Sequence, residues 1–178
     1  RIYFTDPRHP VIPFGPAIFP FLEHCSVLRL ERNDRRAWVA TRVTFDTVSP
    51  RAVLLSPDEK TLYVADGEPR EGHRRELRAY PIRDDGTVDH PIVLHSFGAD
   101  HRGQHRSIEG MCLDDGGNVV AVGGWQRSGP GPLVYVFSPG GAVLETHPIP
   151  ADLPNKCCFG GPDLDTLYVT TGGGHLYR

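Results

Sequence analysis

The 178 residues carry 19 Lys and Arg against 22 Asp and Glu, a formal charge of −3, with 9% aromatic residues, 20 Gly and 17 Pro. Average usage puts Gly and Pro together at about 12%, so turns are unusually dense here and long helices are not expected. The near-neutral balance lacks the Lys and Arg excess that phosphate backbones select, which argues against nucleic acid; no apolar run approaches the roughly 18 residues of a membrane helix, and RIYFTDPRHP lacks the succession of a signal peptide.

In chain order the apolar runs are short, often β-branched or aromatic, and bounded by turn residues, the pattern of strands. They read IYFTD (2–6), SVLRLE (26–31), WVATRVTF (38–45), AVLLS (52–56), TLYVAD (61–66), ELRAYPI (76–82) and PIVLHSF (91–97). GMCLD (110–114), NVVAVGG (118–124), LVYVFS (133–138), AVLETHPI (142–149), CCFGG (157–161), TLYVTT (166–171) and HLYR (175–178) follow. No run reads as a helix, and the fold class is all-β.

One unit recurs in this series: a short apolar strand, a turn built on Asp, Pro or Gly, and a second strand with a Leu-Tyr-Val type core. It appears as AVLLSPDEKTLYVAD, GMCLDDGGNVVAVGG and CCFGGPDLDTLYVTT, with RIYFTD as a lone second strand. Aligning the second strands sets Tyr3, Tyr63, Ala121 and Tyr168 in register, at steps of 60, 58 and 47 residues. A period near 50 with about four strands per unit is that of β-propeller blades. In SPDEKT, Pro57 presets φ and Asp58 bonds its own downstream backbone; in DDGGN, Gly116 and Gly117 permit positive φ. Alternation then sends Leu55, Leu62 and Val64 into the packing between blades.

Residues 1–178 thus read as a single partial propeller of three to four blades. An open arc exposes apolar faces, so upstream blades or a second chain are expected to close the ring. The absence of a starting Met and the opening in mid-strand favour upstream blades. Cys25, Cys112, Cys157 and Cys158 show no C-x-x-C spacing and read mostly as small buried residues.

The segments PRAVLLSPDEKTLYVAD (50–66), IEGMCLDDGGNVVAVGGW (108–125), VYVFSPGGAVLETHPIP (134–150) and CCFGGPDLDTLYVTT (157–171) together resemble the senescence-marker-protein, gluconolactonase and luciferin-regenerating-enzyme family. RIYFTDP also resembles its bacterial gluconolactonase branch. The resemblance implies a six-bladed propeller, a divalent metal in the central channel (calcium foremost, zinc as the variant), and hydrolysis of a sugar lactone or related cyclic ester as a small-molecule substrate. It leaves the compartment open between cytoplasm and periplasm.

The family's ligands are an N-terminal Glu, an Asn before the segment matching RIYFTDP, an Asn in Pro-Asn-Gly and an Asp in Asp-Gly-Met. The first two positions fall upstream of Arg1. The other two differ here: Pro50-Arg51-Ala52 replaces Pro-Asn-Gly, and Glu109-Gly110-Met111 replaces Asp-Gly-Met. Calcium takes hard oxygen ligands at about 2.3–2.6 Å, and a guanidinium offers only donors, so Arg51 is no ligand. Glu109 keeps a carboxylate, for a metal, for general-base work or for a fork from Arg51.

Two arrangements follow. In one, Glu109 binds the metal and acts in catalysis while Arg51 points aside or toward an anionic group of the substrate; in the other, an Arg51–Glu109 ion pair replaces the metal and leaves a binding propeller, inactive or with changed chemistry. HSFGADHRGQHRSIEG leads into Glu109 with His95, His101, His105, Arg102 and Arg106; His101 and His105 are substrate-side candidates. Asn155, beside Lys156, stands where the family often has Thr-Asn and is a further candidate. Glu23 and His24 carry a weaker channel signal, WQRSGPGP reads as a rim loop after Trp125, and HRRELR (73–78) as an outer, solvated strand.

Overall fold

The computed structural model describes residues 1–7, 22–68 and 70–178, and every regular element among them is a β-strand. The first sheet comprises β1 (Ile2–Asp6), β2 (Ser26–Arg32) and β3 (Trp38–Arg42), paired in that order. The second is β4 (Pro50–Leu55), β5 (Thr61–Gly67), β6 (Arg75–Pro81) and β7 (Ile92–Ser96). A ribbon of β8 (Ala99–Asp100) and β9 (Gly103–Gln104) precedes the third sheet, β10 (Ile108–Leu113), β11 (Val119–Trp125), β12 (Ser128–Phe137) and β13 (Val143–Pro148). The fourth is β14 (Pro154–Gly160), β15 (Thr166–Thr171) and β16 (Leu176–Tyr177). Each sheet is an antiparallel meander whose neighbours in sequence are neighbours in space.

The turns form by the expected chemistry. Asp58 Oδ1 accepts from Ser56 Oγ at 2.6 Å and from the Lys60 N–H at 3.1 Å, fastening the reversal between β4 and β5. Asp114 does the same for β10 and β11 through the Asn118 N–H at 2.7 Å, and Gly117 supplies the positive φ of 77°. The aligned second strands are β1, β5, β11 and β15. Tyr63 stands between Leu54 and Ala79, Ala121 between Met111 and Tyr135, and Tyr168 opposite Cys158.

The core is divided into three layers, each lying between successive sheets. Val27 and Val43 meet Leu62, Val64 and Tyr80 between the first and second, with Leu55 packed against them. Tyr63, Ala65 and Leu77 meet Ile108, Ala121 and Phe137 between the second and third. Val120, Val122 and Val134 meet Cys157 and Val169 between the third and fourth. Period-2 alternation produces this division: Leu62 and Val64 face one neighbour, Tyr63 and Ala65 the other.

Three local expectations are corrected. HRRELR runs into β6, the third of four strands, and its Arg75 and Arg78 are buried rather than solvated. Arg78 is retained there because Glu76 lies 2.6 Å away, Asp46 3.1 Å and Asp66 3.7 Å, so its charge is paired on several sides. Most of WQRSGPGP is the start of β12, with Gly129 and Gly131 taking positive φ. Part of the polar stretch before Glu109 is the β8–β9 hairpin. The cysteines divide as alternation requires: Cys157 is buried and Cys158 exposed, with Cys112 Sγ 3.7 Å from Cys157 Sγ.

Candidate functional site

Inner strands β4, β10 and β14 lie side by side, and each opens with the same irregularity. In β4, Pro50 pairs with Asp66 and Ala52 with Ala65, so Arg51 has no partner across the ladder. In β10, Ile108 pairs with Gly123 and Gly110 with Val122, leaving out Glu109. In β14, Pro154 pairs with Thr171 and Lys156 with Thr170, leaving out Asn155. Such bulges re-aim a side chain out of the pleat and recur beside active sites. Arg51, Glu109 and Asn155 therefore occupy one equivalent position in three consecutive sheets, and we call this end of the inner strands the hub.

The strands are drawn close here because Gly110 carries no side chain. A Cβ on it would stand 2.6 Å from the Asn155 carbonyl oxygen and 2.7 Å from the Lys156 Cα. Lys156 Nζ donates to the Glu109 carbonyl oxygen at 2.7 Å. Arg106 spans the same seam, donating to the carbonyls of Gly124 at 3.2 Å and Pro154 at 3.0 Å. Behind β4, the fully buried Asp66 accepts from the N–H groups of Val48 and Ser49, fixing the chain just before Arg51. Burial pushes the Asp66 carboxyl up from its ordinary value, against the pull of those N–H groups and of Arg78 and Arg74.

The Arg51–Glu109 ion pair of the second arrangement is not formed, and each residue has another partner. Glu109 Oε1 lies 3.4 Å from Arg106 Nε, with both side chains mostly enclosed. Arg51 reaches toward Glu68 instead, Nη2 to Oε2 at 3.8 Å, and its Nε is buried with no hydrogen-bond partner. Glu68 is shared with Arg70 at 3.4 Å and His73 at 3.6 Å. The physical reason is proximity along the chain: Arg106 sits three residues before Glu109, on the approach to the bulge, whereas Arg51 projects from another sheet. Burial pushes the Arg106 guanidinium down from its ordinary value, opposed by Glu109 and reinforced by the charge of Arg51.

The two candidate histidines lie outside this cluster. His101 is exposed in the turn of the β8–β9 hairpin. His105 packs beneath Gly129, with Nε2 buried and 3.8 Å from Asp100 Oδ2. Asp100 anchors the hairpin by accepting from the N–H groups of Gly129 at 2.9 Å and Arg102 at 2.8 Å, and these bonds hold its carboxyl well below the usual range. His105 therefore supports the hairpin. His95 lies against Phe97 and Phe137 in the core, ring centroids 4.7 and 5.2 Å apart, and burial pushes its imidazole down. Glu23 is exposed, and His24 Nδ1 bonds Ser26 Oγ at 2.9 Å. Trp125 closes the β11–β12 turn through Nε1 to Ser128 Oγ at 2.6 Å, with Arg127 over its ring. Glu68 is the hub residue without a motif of its own; its one sequence signal is its place directly after TLYVADG.

Toward the divalent metal implied by the resemblance, the hub residues present offer a poor donor set, with a guanidinium at Arg51 where the family has an amide. No group of three or more His, Cys, Asp or Glu that could hold a metal ion occurs among the described residues. The three bulged positions offer one carboxylate, one amide and a guanidinium. That carboxylate already faces Arg106, and Lys156 adds a further positive charge.

The fold has known counterparts. The fold matches that of a luciferin-regenerating enzyme, with a TM-score of 0.61 at 21% identity, covering 83% of this chain and 45% of that one. It equally matches a regucalcin from Agrobacterium tumefaciens, described as a calcium-binding protein, with a TM-score of 0.61 at 20% identity over 85% of this chain and 45% of the other. Residues 21–173 match the SMP-30/Gluconolactonase/LRE-like region, and the chain belongs to that family. Among curated relatives, it is 26% identical over 172 residues to a gluconolactonase of Zymomonas mobilis, covering 95% of this chain and 44% of that protein. It is 29% identical over 126 residues to a 6-deoxy-6-sulfogluconolactonase of Pseudomonas putida, covering 71% and 39%. The chain thus spans less than half the length of these relatives.

Proposed function

We propose that the protein hydrolyses a sugar lactone or related cyclic ester at the hub, with the four sheets as consecutive blades of a six-bladed propeller. The observation that carries this reading is Glu109: a mostly enclosed carboxylate lifted out of the β10 ladder and braced by Arg106 at 3.4 Å, a separation long enough to leave it available as a base. The lactonase relatives support the substrate class.

In this mechanism Glu109 takes a proton from water as the water oxygen attacks the lactone carbonyl carbon. Lys156, held over the same bulge by its bond to the Glu109 carbonyl, presents its remaining N–H donors to the developing oxyanion. The ring C–O bond then breaks, and the ring oxygen takes the proton back from Glu109. The products are a hydroxyl and a carboxylic acid, which ionises to the carboxylate by releasing its proton to solvent.

Glu109→Gln keeps the shape and removes the base, and general-base catalysis contributes about 10²–10⁴-fold. The expected result is a loss of that order in turnover of an aldonolactone panel, followed by pH-stat titration of the acid released, with the circular dichroism spectrum and Tm unchanged. Full turnover by the variant would remove Glu109 from the reaction.

A further inference from the structure

The hub gathers several cations whose carboxylate partners stand at loose distances, with Asp152 bearing on Arg106 from further off. Arg51, Arg70, Arg106 and Lys156 converge on it, whereas Glu68 and Glu109 are the carboxylates in direct contact with them. The pairing is also loose. Arg51 meets Glu68 only at 3.8 Å and leaves its buried Nε without a partner, a guanidinium edge taken from water and given nothing in exchange. A second guanidinium, Arg106, lies near enough for the charge of Arg51 to bear on it. Glu109 and Asp152 offset the Arg106 charge, whereas Arg51 has only the distant Glu68, so a further anion is favoured beside Arg51.

We infer that the hub binds an oxyanion group, a carboxylate or a phosphate, borne by the substrate in addition to its lactone ring. Arg51 is its principal contact. With Nε buried and the side chain as a whole about a quarter exposed, an oxyanion oxygen meets Arg51 at its outer guanidinium nitrogens, where Glu68 stands off at 3.8 Å. Arg106 adds long-range attraction, and Glu68 competes with the ligand for Arg51. The substrate class is therefore an acidic lactone rather than a neutral one. As a statement about substrate, this inference rests on the hydrolase reading above; as a statement about binding, it stands alone.

The test is calorimetric titration of the purified protein with an aldarate, a phosphorylated aldonate, a neutral alditol of the same length, and calcium chloride. The expected result is saturable binding of one or both anions and none of the alditol, and the tighter anion identifies the group as carboxylate or phosphate. Arg51→Gln is expected to weaken that binding about tenfold or more, the usual worth of a charged hydrogen bond. Glu68→Gln, which removes the competitor, is expected to tighten it and serves if Arg51→Gln fails to fold. Anion affinity no better than that of the alditol, anion affinity indifferent to both substitutions, or saturable calcium binding abolished by Glu109→Gln would each overturn the inference. Lactone turnover is measured separately: anion binding without turnover removes the hydrolase reading alone, and turnover of neutral lactones without anion binding removes this one alone.

Discussion

At the scale of single residues, the hub and the core use charge in opposite ways. Arg51 is left short of partners, whereas His95 is kept neutral by its surroundings between Phe97 and Phe137. Burial lowers the His95 imidazole from the ordinary 6.5. Between its lowered folded value and 6.5 the unfolded chain binds more protons than the folded one, so His95 lets stability rise with pH across that window and fall on acidification. His95→Phe retains an aromatic ring and removes the titration. The difference in Tm between variant and parent is expected to be constant above about pH 7 and to move in the variant's favour from pH 6.5 to 5; a constant difference throughout would mean that His95 does not titrate with folding.

At the scale of elements, the close approach of β10 and β14 depends on one missing methyl group. Gly110 has no unusual φ, so substitution there tests space alone. Gly110→Ala is expected to force the strands apart at a cost of about 1–3 kcal/mol, the usual range for overpacking, read by urea unfolding, and to disturb Glu109 and Lys156 together. Gly98→Ala is the control, since a Cβ there meets nothing nearer than 4.0 Å. Equal effects of the two would show that the seam yields freely.

The strands were legible in the sequence because each is a short β-branched or aromatic run stopped by Asp, Pro or Gly, as in AVLLSPDEKTLYVAD. The β8–β9 hairpin was not, because strands of two residues are too short to show a period. The position of β6 was misread for a related reason: Arg75 and Arg78 look solvated until Asp46, Asp66 and Glu76 are seen around them. Arg51, Glu109 and Asn155 were each legible as candidates. Their shared bulge was not, because cross-strand register depends on pairing between segments that one sequence does not display. The same holds for the partner of Glu109, which lies on its own strand's approach and not across the hub.

At the scale of the whole molecule, charge is separated along the inner strands. The hub gathers Arg51, Arg70, Arg106 and Lys156 against Glu68 and Glu109, while the turns at the other end of those strands carry Asp58 with Glu59 and Lys60, then Asp114, Asp115, Asp163 and Asp165. The last four of these line a common cleft with Leu113, Phe159 and Leu164. A net charge of −3 hides this polarity. Such a field steers anions toward one end and away from the other, and salt screens it. For the proposed hydrolase, kcat/KM toward an acidic lactone is expected to fall severalfold between about 20 and 300 mM NaCl, with little change for a neutral lactone; parallel curves for the two would rule steering out.

The unladdered residue that begins each inner strand has a further consequence. It owes nothing to the pleat, so an arginine, a glutamate or an asparagine can be seated there without altering the scaffold that presents it. Side-chain chemistry and architecture are thereby uncoupled at one socket in each of three sheets, and a lineage built this way can exchange what it presents there by single substitutions while every strand stays where it was.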